Sequence, residues 1–172
     1  MQMKTAAREI ILDEIIRLHP EDTGTNVCIP FTLKRDYRSL EFICSYKPKE
    51  CGDREKAKQL ILDGLAAYVP AEYREQCGAW EDFLPSVVSL ITLSLDSSGQ
   101  YLGCAHRHAA EQRHIVSADF SSPGFSRRSP IAGDWRAVIN VHSVVSPEVC
   151  YRLQVMAHDT DCRGQEAGRI AE

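Results

Sequence analysis

Apolar and polar residues change places at every step in several separate stretches of this chain. In "TNVCIPFTL", Val27, Ile29, Phe31 and Leu33 alternate with Asn26, Cys28, Pro30 and Thr32. "RSLEFICSY" places Leu40, Phe42, Cys44 and Tyr46 on one side, and the pattern returns over 86–95 and 135–157. A period of two is that of a strand with one face on a core and the other toward water. "YLGCAHR" and "HIVSADF" add two strands around a connection at 107–113. These segments are joined by turns such as "DSSGQ", where Gly99 can take a positive φ, and by "SPEV". No helix follows each strand. The expected fold is mainly β, an antiparallel β-sandwich of jelly-roll type, with Pro30 marking an edge strand or a bulge.

Two stretches depart from that period. Ala7, Ile11, Ile15 and Leu18, widened by Ile10 and Leu12, recur at helical spacing, which predicts an N-terminal helix over 4–18. Residues 50–85 read as a helical and irregular insertion across one end of the sheets. Within it a helix at 53–68 is capped by Asp53, and Trp80 and Phe83 act as anchors. Residues 159–172 are polar and read as a frayed tail. At 172 residues the whole chain is expected to be one domain.

Composition removes several functions. A formal charge of −4 is the wrong sign for general nucleic-acid binding. No stretch approaches the ~20 apolar residues of a membrane span. The first twenty residues are charged throughout, unlike a secretion signal, so the expected location is the cytoplasm. Seven cysteines are scattered without a C-x-x-C pair, which predicts free thiols and neither a disulfide framework nor a structural zinc site.

The chemistry concentrates in "HRHAAEQRH". His106, Arg107, His108, Arg113 and His114 lie together in sequence, and Arg127 and Arg128 follow in "FSRRSP". Guanidinium groups offer forked donors to carboxylate or phosphate, and imidazoles add more. These seven residues are the candidate ligand-binding rim for a small polar, anionic or carbohydrate-like ligand, or for a partner protein. The alternative is a metal-dependent enzyme in which His106, His108, His114 and His142 hold Zn or Fe. Against it, Arg107 and Arg113 crowd a cation, and no carboxylate stands at the usual short spacing. A third candidate is the strand face carrying Arg136, Asn140 and His142, opposite a core face of Trp135, Ala137, Ile139 and Val141. There is no G-x-S-x-G elbow, no G-x-G-x-x-G and no P-loop.

The segment "LDSSGQYLGCAHRH…HIVSADFSSPGF…GDWRAVINV…CYRLQV", with "IPFTL…SLEFICSYKP" before it, resembles the N-terminal β-sandwich domain that precedes the catalytic domain in a group of PHP-superfamily metallohydrolases. The N-terminal stretch and the insertion fall outside that pattern. "CAHRHAA" has a H-x-H pair but lacks the Asp that opens the catalytic domain's motif, so that domain's metal site does not carry over to His106 and His108. The resemblance implies a detached accessory domain. Taken together, the residues favour a non-catalytic binding or interaction module over an enzyme. Self-association into an assembly is a third reading.

Overall fold

The computed structural model describes residues 8–160. Eight strands run through it: β1 (Arg8–Leu18), β2 (Thr25–Leu33), β3 (Ser39–Lys47), β4 (Leu90–Ser97), β5 (Gln100–Ala105), β6 (Glu111–Ser117), β7 (Gly133–Ser143) and β8 (Val149–His158). They form two four-stranded antiparallel sheets, ordered β1-β8-β3-β6 and β2-β7-β4-β5. The pairing is nested. β4 meets β5, β3 meets β6, β2 meets β7 and β1 meets β8, as if the chain were folded back at its middle and then wrapped. The fold-back is the tight turn at Ser98 (φ 49°) and Gly99 (φ 77°), where two positive φ values match the twist of the flanking strands.

One core lies between the sheets. Phe42, Leu153 and Val155 meet it from the first sheet, and Leu93, Leu95 and Ile139 from the second. Trp135 is buried and stacks on Phe31 with ring centroids 6.3 Å apart, and Phe31 meets Phe42 at the same distance. Trp135, Ala137, Ile139 and Val141 all face inward, as the alternation of β7 predicts.

The N-terminal helix expected over 4–18 is instead strand β1 from Arg8 onward; residues 4–7 lie outside the described residues. The reason is a bulge. Ile10 pairs with Met156 and Leu12 with Val155, leaving Ile11 as an extra residue. That insertion shifts the phase of a two-residue alternation, so Ile11, Leu12, Ile16 and Leu18 all turn toward the core at a spacing that imitates a helix. Four isoleucines, stiff at χ1, suit the pleated surface better than a helix.

The insertion at 50–85 is helical as expected. Asp53 accepts hydrogen bonds from the N–H groups of Glu55 and Lys56, both at 3.0 Å, and α1 runs from Arg54 to Tyr68. A single helical turn (Ala71–Arg74) and a 3-10 segment (Trp80–Ser86) follow. Arg54 and Lys58 lie over the Trp80 ring at 5.1 and 5.2 Å. The insertion is tied to the sandwich where Glu50 bridges Val88 and the Ser89 N–H donates to the Lys49 carbonyl. Of the tail expected at 159–172, Asp159 and Thr160 are described, and Asp159 pairs with Arg35; the rest lies outside the described residues.

The "SSPGF" loop closes one side. β5 and β6 are neighbours in sequence but edges of different sheets. Between β6 and β7 the chain runs along both of those edges. Ser122 hydrogen-bonds Ile115 in both directions, Phe125 bridges Gly103, and the Ser126 N–H donates to the Leu102 carbonyl at 2.6 Å. Gly103 and Gly124 interlock here. A Cβ on Gly103 would lie 2.0 Å from the Gly124 carbonyl oxygen, and one on Gly124 would lie 2.5 Å from that of Cys104. Both also sit at positive φ.

Candidate functional site

The histidine- and arginine-rich residues fall into four places. His106, Arg107 and His108 are exposed on the connection 106–110, which carries the chain from β5 to β6 and so from one sheet to the other. The connection is held in shape by its backbone. Gln112 donates to the carbonyls of Ala109 (2.7 Å) and Arg107 (3.2 Å), and the Lys49 ammonium donates to that of His108 (2.6 Å).

His114 is separated from them. Because Val116 faces the core, His114, two residues earlier on β6, does so too. It is 1% exposed and meets Phe125 edge-on at 5.3 Å. Its Nε2 pairs with Gln112 Oε1 at 3.0 Å, so that nitrogen carries the proton, and Nδ1 is buried without a partner. Burial, aided by the Arg107 charge, pushes its pKa down to about 4. The ring is neutral near pH 7 and contributes no donor to a rim.

Arg113 points to the outer side of the first sheet. It pairs with Glu41, whose other oxygen takes His158 Nε2 at 2.8 Å; Glu41 and His158 are each 4% exposed. Arg127 and Arg128 lie at the far end of β5, lining an open cleft of about 450 Å³ with Ala118, Ser129 and Ile131. Arg128 donates to Gln100 at 3.0 Å. Gln100 and Ala105 bound β5, so at ~3.3 Å per residue these arginines stand roughly 17 Å from the histidine connection. The seven residues do not form one rim.

What gathers instead is a polar row on the outer face of the second sheet. β4 is an interior strand whose Ile91, Leu93 and Leu95 enter the core, so Thr92, Ser94 and Asp96 face outward. Neighbouring side chains from β5 and β7 shelter these short ones, which are 2%, 7% and 9% exposed. Asn140 Nδ2 donates to Ser94 Oγ at 2.8 Å and lies 3.3 Å from Thr92 Oγ1. Thr92 Oγ1 meets His142 Nε2 at 2.9 Å and Cys104 Sγ at 3.5 Å. The His106 ring, just past β5, lies 5.7 Å from that of His142. At the other end of the row Arg136 pairs with Asp96, and Tyr101, opposite Asp96 on β5, is 61% exposed. Among the described residues, the side chains of His106 and Tyr101 and the amide oxygen of Asn140 make no hydrogen bond within the protein.

Arg136, Asn140 and His142 are legible in the sequence as one strand face; that Thr92, Ser94 and Tyr101 join them is not. What signal there is lies in "ITLSLD", where apolar and polar residues alternate from Ile91 to Asp96. Of the four histidines considered as metal ligands, the structure brings together His106 and His142. Among the described residues no three His, Cys, Asp or Glu side chains converge as metal ligands would. The six described cysteines are free thiols, and burial raises that of Cys44 to about 11. Among the described residues no helix is long and apolar enough to cross a membrane.

A search against protein-family models finds no match to this chain. A search of curated proteins finds none either.

Proposed function

We propose that the protein is a non-catalytic binding module of jelly-roll topology, and that its site is the outer face of the second sheet, taking a neutral, polyhydroxylated ligand. The nested strand order supports the topology, since two doubled-back four-strand units are what a jelly roll is made of. The observation that carries the site is the row Thr92–Ser94–Asn140–His142, ending in His106 on one side and Tyr101 on the other. Hydroxyl, amide and imidazole groups each both donate and accept, as sugar hydroxyls do, so they match such a ligand without burying net charge. Tyr101 adds an aromatic face for the apolar side of a ring. Arg136 is already paired with Asp96, which lowers the attraction of this face for anions.

On this reading the resemblance of 95–157 to a PHP-associated accessory domain is one of scaffold. Among the residues that carry it, Pro123–Gly124–Phe125 serve the loop interlock, and Gly133 and Trp135 open β7 against the core. The free thiols fit a reducing, cytoplasmic setting.

The test is calorimetric titration with a panel of neutral oligosaccharides, with sulfated oligosaccharides and inorganic phosphate in parallel. The expected result is binding of a neutral member, weakened about tenfold by Asn140→Ala, or about 1.4 kcal/mol. The pair Arg127→Ala, Arg128→Ala leaves it unchanged. Binding of phosphate or sulfated sugars alone, abolished by the arginine pair, overturns the proposal.

A further inference from the structure

The sandwich has four strand edges, and they are treated differently. The edges of β5 and β6 are covered by the 118–132 loop, through the Gly103–Phe125 and Val116–Ser121 bridges. The edge strand β2 carries Pro30, which has no N–H to offer a neighbour. β1 is the remaining edge. It is eleven residues long, and among the described residues it pairs only with β8, so its other side presents unpaired backbone groups. Among the described residues it also holds the most exposed large aliphatic side chains, Ile15 at 63% and Ile10 at 59%.

The bulge at Ile11 divides β1, and its regular part is Leu12–Leu18. That part is self-complementary. Laid antiparallel on a copy of itself about Ile15, it sets Ile15 against Ile15, Asp13 against Arg17, and Leu12 against Leu18. The remaining pair sets Glu14 against Ile16. Every such pair shares a face, because Asp13, Ile15 and Arg17 alternate with Leu12, Glu14, Ile16 and Leu18. Asp13 is already bonded to Arg152 (2.7 Å) and Arg17 to Glu148 (2.7 Å). The contact would therefore order charges in alternating sign, Arg152–Asp13–Arg17–Glu148, across the junction, twice over. Pairing β1 one residue out of this register would place Asp13 against Ile16 and lose both ion pairs.

We propose that a second copy of this chain adds to the β1 edge, antiparallel and about a two-fold axis through Ile15, joining two first sheets into one of eight strands. The association uses backbone hydrogen bonds along 12–18, two Asp13–Arg17 pairs and the covered Ile15 side chains. It is independent of the ligand site, which lies on the other sheet.

The full chain is examined by sedimentation velocity over a concentration series. The expected mass rises toward twice the 19.3 kDa of one chain. Ile15→Lys, which sets two ammonium groups face to face, returns the mass to that of one chain with the circular dichroism unchanged. Should that variant fail to fold, a short bismaleimide decides. Ile15→Cys gives a crosslinked dimer above the background of the parent chain, and the equally exposed Ile10→Cys does not. A single-chain mass at every concentration, a dimer indifferent to Ile15→Lys, or crosslinking from residue 10 and not 15 would each overturn the proposal.

Discussion

The outer faces of the two sheets carry polar residues to opposite ends. On the first sheet, charges are closed upon one another. Glu41, buried, takes both Arg113 and His158, and the Arg152 guanidinium with the Gln154 amide holds the Asp13 carboxyl down at about 2. On the second sheet the polar groups are mostly neutral and linked in a row whose two ends stay open at His106 and Tyr101. A buried charge must be satisfied within the protein or it destabilises the fold, so a charged cluster that is complete belongs to the scaffold. A neutral network with unspent donors and acceptors costs little to leave open to water and can exchange that water for a ligand. Residue type alone would have assigned recognition to the charged cluster; closure assigns it to the neutral one.

Substitutions can break this contrast. The largest effect is expected at neither face but at the interlock that joins their edges. Gly103→Ala collides with the Gly124 carbonyl at a φ of 129° and should cost about 4 kcal/mol or prevent folding, read from urea titration. Glu41→Ala removes the buried carboxylate that Arg113 and His158 share and should cost about 3 kcal/mol, with ligand affinity unchanged. A loss under about 1 kcal/mol there, no more than an exposed ion pair contributes, would show that the cluster is not closed in solution.

An effect that reaches a similar size only near pH 4, and is smaller at every higher pH, is set by protonation. An unfolded imidazole takes its proton near 6.5, but folded His114 does so only near 4. The unfolded chain therefore binds more protons between those values, and stability is lost as pH falls from 6.5 toward 4, by up to about 3 kcal/mol. His114→Leu should flatten that part of the stability–pH curve; an unchanged slope would mean the loss comes from other groups. Smallest of all is Asn140→Ala, expected to change stability by about 1 kcal/mol or less while lowering affinity for the ligand.

The fold was legible wherever one period ran undisturbed. β2, β3 and β7 follow from alternation, α1 from its Asp53 cap, and Trp135 and Phe125 from their surroundings. β1 reads as a helix because one bulged residue turns a period of two into something close to a helical one. The site was legible only in part, and for a different reason. "HRHAAEQRH" is contiguous in sequence, yet the chain changes sheets inside it. His106 thus stays at an open end, His114 turns into the core and Arg113 emerges on the opposite face. Contiguity says nothing of which sheet a residue joins, whereas the row at Thr92, Ser94 and Asn140 comes from neighbouring strands far apart in sequence.

Whether the outer face of the second sheet takes the ligand is read directly from amide shifts in a ¹⁵N-labelled sample during titration with the neutral oligosaccharide panel. Saturable changes are expected at Thr92, Ser94, Cys104, Asn140 and His142, fading across β2 and absent from Glu41, Arg113 and His158. Shifts confined to Arg127 and Arg128, or to the first sheet, or none with any member of the panel, would contradict a site on that face.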